Sequence, residues 1–187
     1  MLGTTPLKQL AGYCDALITP IEVDLMRQLF VLRSLRWFTW LCRTASRLGD
    51  WPLWVVTAVG LLAFDEPWAW STLLAGLLAV GTTVLLFVLI KNLVGRPRPS
   101  AAGHGLSALA AAPDRFSFPS GHTMTAFAVW GSLSAGLPAA GPYYLVVACL
   151  IGLSRVFLGL HYPTDVLVGA LLGGSLGLSL GGWLVEG

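Results

Sequence analysis

The chain has 187 residues, 56% hydrophobic and only 11% charged, with a formal net charge of +2. Ordinary soluble domains carry about a quarter charged residues, so this composition argues against a soluble globular enzyme. The small net charge gives no support for a nucleic-acid partner, and the length suits one folded unit.

Residues 1–49 come first and differ from the rest. They carry Lys8, Arg27, Arg33, Arg36, Arg43 and Arg47, interleaved with Leu29, Phe30, Leu35, Trp37, Phe38, Trp40 and Leu41. Two arginines inside 28–42 make a bilayer crossing costly, whereas a basic and aromatic mixture suits an amphipathic helix lying at the interface. A solvated basic arm is the alternative. The first twenty residues include Lys8, Asp15 and two prolines, and do not read as a signal peptide. Gly49-Asp50 breaks the segment, with Asp50 a candidate cap for the first apolar run. Cys14, Cys42 and Cys149 show neither paired nor metal-ligand spacing and read as apolar fillers.

Five apolar runs occupy 51–64, 69–94, 119–137, 142–160 and 163–185, within a region read as one membrane domain, 50–187. Backbone polar groups inside lipid must be satisfied within the segment, so each run is expected to be a helix. The fold class is therefore all-α: a polytopic bundle of about five spanning helices plus the N-terminal amphipathic helix. The first run is short against the ~17–25 residues that a spanning helix needs. Trp51 and Trp54 begin it, and Trp68 and Trp70 come just after it, an interfacial aromatic pattern. Gly136-Leu-Pro138 and Gly141-Pro142 mark a tight hairpin. Glycines 169, 173, 174, 177, 181 and 182 line the last run, where small residues let helices approach closely.

Three clusters hold most of the strong chemistry: Lys91 to Pro99, Pro119 to His122, and Ser154-Arg155 with His161 and Asp165. They lie at the ends of the second to fifth runs. If the helices alternate in direction, all of these ends meet at one face of the membrane. Arg98 offers a planar fork that matches phosphate oxygens, and Lys91 a compact charge. Headgroup anchoring is the alternative for both. Proline suits the first position of a helix, and the free amides there favour an anion. Ser120 can donate to a phosphate oxygen, Gly121 admits close approach, and His122 is placed to protonate a leaving oxygen. Asp165 lies four residues beyond His161 and can reach back to its imidazole, leaving the other ring nitrogen as nucleophile. His104 reads as a plain loop residue. No set of metal ligands remains outside these residues, so neither metal nor cofactor is expected.

In order, Lys91 with Arg98-Pro99, Pro119-Ser-Gly-His122, and Ser154-Arg155 with His161 and Asp165 resemble the signature of the type 2 phosphatidic acid phosphatase superfamily, the lipid phosphate phosphatases. The resemblance covers about residues 50 to 185, with no departure inside the motifs. It implies an α-helical fold, metal-independent hydrolysis and a phosphohistidine intermediate. By that resemblance His161 is the nucleophile, Asp165 its partner and His122 the general acid, while Lys91, Arg98, Ser120, Gly121 and Arg155 hold the phosphate. The expected substrate is a lipid monophosphate or diphosphate: phosphatidate, phosphatidylglycerophosphate or a polyprenyl diphosphate. A vanadium haloperoxidase shares the constellation but is soluble. A non-catalytic lipid-phosphate binder or transporter would need the cations but not two imidazoles.

The expected location is a bacterial inner membrane. Family precedent favours a periplasmic site. The five arginines between 27 and 47 share a side with the clusters if 24–45 does not cross, and the positive-inside rule then makes that side cytoplasmic.

Overall fold

The structure, a computed structural model, describes residues 6–112 and 114–186, with side chains from 17 to 112 and 114 to 185. Residues 1–5 and the side chains of Lys8 and Cys14 lie outside this description. In chain order the seven α-helices are α1 (Pro6–Phe30), α2 (Arg36–Leu48), α3 (Pro52–Leu62), α4 (Pro67–Val94), α5 (Gly121–Gly136), α6 (Gly141–Phe157) and α7 (Pro163–Gly181). Among the described residues there is no β-strand, only an isolated bridge between Pro97 and Phe116. The all-helical expectation is met.

Among the described residues three helical stretches are long and apolar enough to cross a bilayer: Pro67–Val94, Pro138–Phe157 and Pro163–Val185. α3 has 11 residues and α5 has 16, so α5 rises about 24 Å against a hydrocarbon core of ~30 Å. The sequence expectation of about five spans thus depends on these two short helices. α5 needs little lipid contact of its own, because α4, α6 and α7 surround it.

Packing inverts the pattern of a soluble helix. Apart from Lys91 at its end, the buried residues of α4 are small (Ala69, Thr72, Ala75, Ala79 and Thr83), while Leu74, Leu77, Leu85, Leu89 and Leu93 are exposed. Lipid is as apolar as leucine, so helices associate by backbone proximity and not by burying large side chains. The α5–α7 contact carries this furthest. A Cβ on Gly173 would lie 2.0 Å from Met124 O, and one on Gly177 would lie 2.2 Å from Ala128 O. The packing role read from the glycine spacing is what the structure holds.

The N-terminal segment is two helices joined by a 3-10 turn, Val31–Ser34. Val23 and Met26 of α1 are buried against Leu106, Val156 and Tyr162. Cys42 of α2 packs with Phe157, Leu158 and Leu160, and Phe38 meets Phe157 edge-on at 4.8 Å. Arg33 donates to Phe157 O from Nε (3.2 Å) and Nη2 (2.8 Å), satisfying a carbonyl at the C-terminal end of α6. Trp37 and Trp40 remain exposed on the far side of α2.

Candidate active site

The site is built where α4 and α6 end and α5 and α7 begin. α4 stops at Gly95, whose φ of +68° suits a left-handed cap. The loop after it is pinned by Ser117 N to Arg96 O at 2.9 Å. After α6 the chain turns at Gly159 (φ +75°), where a Cβ would also strike Ser107 O at 2.7 Å. That turn delivers His161 into the interior, 1% exposed. Ser120 N donates to Asp165 O at 3.0 Å, tying the start of α5 to the start of α7. The clusters therefore meet at one end of the bundle, as helix alternation requires.

His161 Nε2 is 3.3 Å from Arg98 Nη1. A guanidinium can only donate, so Nε2 presents its lone pair and the ring proton belongs on Nδ1. Nδ1 lies 3.6 Å from Asp165 Oδ2 and has no hydrogen-bond partner among the described residues. The sequence expectation that Asp165 reaches back to the ring is thus a near approach, not a closed hydrogen bond. The carboxylate is engaged elsewhere. Its Oδ2 accepts from Tyr162 N at 2.8 Å at the start of α7, and its Oδ1 from Arg96 Nη1 at 2.8 Å. Burial pushes the His161 imidazole down to about 4, outweighing the neighbouring Asp165 carboxylate, while Arg155 and Arg98 add to the depression. The ring is therefore neutral at pH 7.

Arg96 belongs to a network that sequence reading missed. It also donates to Glu22 Oε2 at 2.5 Å and Thr19 Oγ1 at 2.9 Å, and stacks 3.9 Å over the Tyr162 ring. Glu22 Oε1 accepts from Thr164 N at 2.8 Å and Thr164 Oγ1 at 2.7 Å. All three charged groups are buried, at 9%, 4% and 0% exposure for Arg96, Glu22 and Asp165. The available signal was Glu22 itself, a carboxylate between the apolar Ile21 and Val23.

The side expected to bind phosphate is organised differently. Lys91 Nζ meets Asp114 Oδ2 at 2.6 Å, and Arg98 Nη2 meets Asp114 Oδ1 at 2.7 Å. Partial burial works against it, but these bonds hold the Asp114 carboxyl below the usual carboxylate range. Arg98 Nη1 also donates to Leu160 O at 2.7 Å. Arg155, 4% exposed, donates to Ser46 Oγ, and its Nε has no partner among the described residues. His122 Nε2 lies 2.6 Å from Asp50 Oδ1. Asp50 does not cap α3, as its position had suggested; its carboxylate holds the histidine. Ser120, fully buried, accepts from Thr123 Oγ1 at 2.9 Å, and Gly121 opens α5. A cavity of about 550 Å³ opens here, lined by His122, Arg155, Arg43, Ser46, Arg47 and Asp50, with an apolar wall of Leu109 to Ala112 and Leu158. Among the described residues no group of three His, Cys, Asp or Glu side chains could hold a metal ion.

A helical membrane bundle with two histidines among cations at one end has the architecture of an integral-membrane phosphatase. The chain belongs to the PAP2 superfamily, whose family model matches residues 69–184. Phosphatidylglycerophosphatase B of Bacillus subtilis is 36% identical over 135 residues, which are 65% of this chain and 61% of that protein. The chain thus spans under two thirds of that relative. Decaprenylphosphoryl-5-phosphoribose phosphatase of Mycobacterium tuberculosis is 36% identical over 150 residues, 71% of this chain and 81% of the other. Among solved structures, a transmembrane PAP2-type phosphatidylglycerolphosphate phosphatase from Bacillus subtilis superposes with a TM-score of 0.74 at 28% identity, covering 98% of this chain and 96% of its own. LpxE of Aquifex aeolicus gives 0.68 at 27% identity, covering 84% and 92%.

Proposed function

We propose that the protein is an integral-membrane lipid phosphatase that works without a metal ion through a phosphohistidine. The observation that carries this is the pairing of a neutral, buried His161, its Nε2 lone pair beside Arg98, with a second histidine held by a carboxylate at the cavity wall. His161 Nε2 attacks phosphorus, forming an N–P bond as the P–O bond to the lipid breaks. His122 gives its proton to the leaving oxygen. Water then attacks phosphorus, His122 takes its proton, and the N–P bond breaks to release phosphate and restore His161. Lys91, Arg98, Arg155, the Ser120 hydroxyl and the Gly121 amide hold the oxygens on which charge develops. Asp165 orients the ring from the Nδ1 side. The phosphate competes with Asp114 for Lys91 and Arg98.

The substrate pool is phosphatidate, phosphatidylglycerophosphate and polyprenyl diphosphate, whose chains enter from lipid between exposed leucines. The test is denaturing quench of the enzyme during turnover of a ³²P-labelled lipid phosphate, with EDTA present throughout. An acid-labile, alkali-stable protein label is expected in the wild type and none in His161→Ala, which also releases no phosphate. Substantial turnover by His161→Ala would sink the assignment, and activity lost in EDTA but restored by Mg²⁺ or Zn²⁺ would sink the metal-free mechanism.

The membrane assignment is to a bacterial inner membrane, with the N-terminal arginines and the catalytic end on one face. Arg33 bonding to Ser107 O and Phe157 O supports that shared face. The positive-inside rule assigns it to the cytoplasm and the family resemblance to the periplasm. Impermeant maleimide on intact cells decides, using single cysteines at Ser107 and Glu66 in a chain without its native cysteines. Labelling at 107 but not 66 makes the site periplasmic; the reverse makes it cytoplasmic.

A further inference from the structure

One wall of the cavity has no part in the chemistry above. Arg43 and Arg47 lie one turn apart on α2 and line the same space as His122 and Arg155, with Ser46 beside them. Both arginines are exposed. Arg43 Nη2 makes only a long 3.4 Å contact to Leu109 O. Against three arginines the lining offers one carboxylate, Asp50, and that is committed to His122. The buried Arg155 leaves its Nε without an acceptor among the described residues. The transferred phosphate answers that donor in the mechanism above, which leaves Arg43 and Arg47 as the cations of this wall with no anion of their own.

We propose that Arg43 and Arg47 form a subsite for a second phosphate group, carried on the leaving group of the lipid. The inference rests on the phosphatase reading and sharpens it. Displacement at phosphorus runs in line, with nucleophile and leaving oxygen on opposite sides. If His161 attacks from one side and His122 protonates the leaving oxygen on the other, the leaving group emerges on the His122 side, into this cavity. A neutral diacylglycerol would give two guanidinium forks nothing to hold. A leaving group that bears its own phosphate would fill them with charge-assisted, bidentate contacts. The volume, about 550 Å³, is in the range of small-molecule sites. The favoured substrate therefore carries the hydrolysed phosphate and a second one close by, either as a diphosphate or as a monoester beside a phosphodiester.

The experiment compares two matched substrate pairs in neutral detergent micelles, where no anionic bilayer surface contributes. One pair is farnesyl phosphate and farnesyl diphosphate; the other is phosphatidate and phosphatidylglycerophosphate. For the purified full chain, kcat/KM is expected to be at least tenfold higher for the two-phosphate member of one pair. The pair that shows the preference identifies the source of the second phosphate. In Arg43→Gln/Arg47→Gln that ratio is expected to fall to near one. A wild-type ratio near one in both pairs overturns the proposal whatever the variant does, and so does an unchanged ratio in a folded variant. Failure of the wild type to release phosphate from any of the four would instead overturn the phosphatase reading.

Discussion

Two charged regions meet at His161, and they are built on opposite principles. On the α1 side, one cation, Arg96, faces two buried carboxylates, Glu22 and Asp165, with Thr19 and Thr164 as further partners. On the cavity side, Asp114, 39% exposed, bridges Lys91 and Arg98, while Arg155 donates to Ser46 and Asp50 is bound to His122. The first region is closed and satisfied, which is how a scaffold holds charge in a low-dielectric setting. The second has more positive charge than its acids answer, and an unanswered buried cation is a site waiting for an anion. Buried charge alone does not mark an active site; an uncompensated sign does.

The comparison breaks most visibly at Arg96. Arg96→Ala strands two buried carboxylates and is expected to cost about 3–5 kcal/mol of stability, read as unfolding in detergent. A loss of activity with stability intact would show that Arg96 acts through Asp165 on the chemistry and is not scaffold. Lys91→Ala is the reverse case. On the proposed mechanism it removes a phosphate ligand and leaves a half-exposed acid, so kcat/KM is expected to fall ~10²–10³-fold, as for a lost transition-state donor. Its stability should change by only ~0–1 kcal/mol, the worth of a partly solvated pair.

Asp114→Asn probes the boundary between the two principles. Without a competing carboxylate on Lys91 and Arg98, inhibition by inorganic phosphate should tighten by roughly threefold to tenfold, consistent with ~1 kcal/mol for one lost competing interaction. The smallest effect concerns pH. His161 takes up a proton below about 4 when folded and below its ordinary 6.5 when unfolded. The unfolded chain therefore binds more protons between those values, and this contribution to stability is full above 6.5 and lost as pH falls toward 4. Melting temperature measured across that interval should slope less steeply in His161→Asn than in the wild type.

The cavity-side cations were legible in sequence because they lie within a few residues of motif neighbours and at the ends of apolar runs. The glycines at 169, 173 and 177 were legible for a similar reason: their spacing repeats one helical turn. Asp50, Asp114, Glu22 and Arg96 were not. Their partners lie 16 to 142 residues away in the chain, and no local period encodes a contact at that separation. Asp50 resembled a helix cap because its neighbours are Gly49 and a tryptophan. Glu22 stands beside Asp24 and Arg27 in a helix that also carries Asp15, so nothing local separates this buried acid from its exposed neighbours. The docking of α1 and α2 onto the catalytic end was hidden too. Arg33 looked like an interfacial charge, yet it binds the carbonyl of Phe157.

The glycine seam between α5 and α7 reaches beyond packing. His122 lies in the first turn of one of these helices, and His161 two residues before the other. Backbones that touch at Gly173 and Gly177 cannot slide past each other, so the pair moves through lipid as one rod. A thinner or thicker bilayer will tilt that rod without changing the separation of the two imidazoles. A methyl group added at Gly177, about 18 Å along the helix from Asp165, would shift both. On the proposed mechanism, residues facing no substrate thus set the spacing of the two histidines, and a helix pair locked in this way tilts as a unit under the hydrophobic mismatch that membranes of different composition impose.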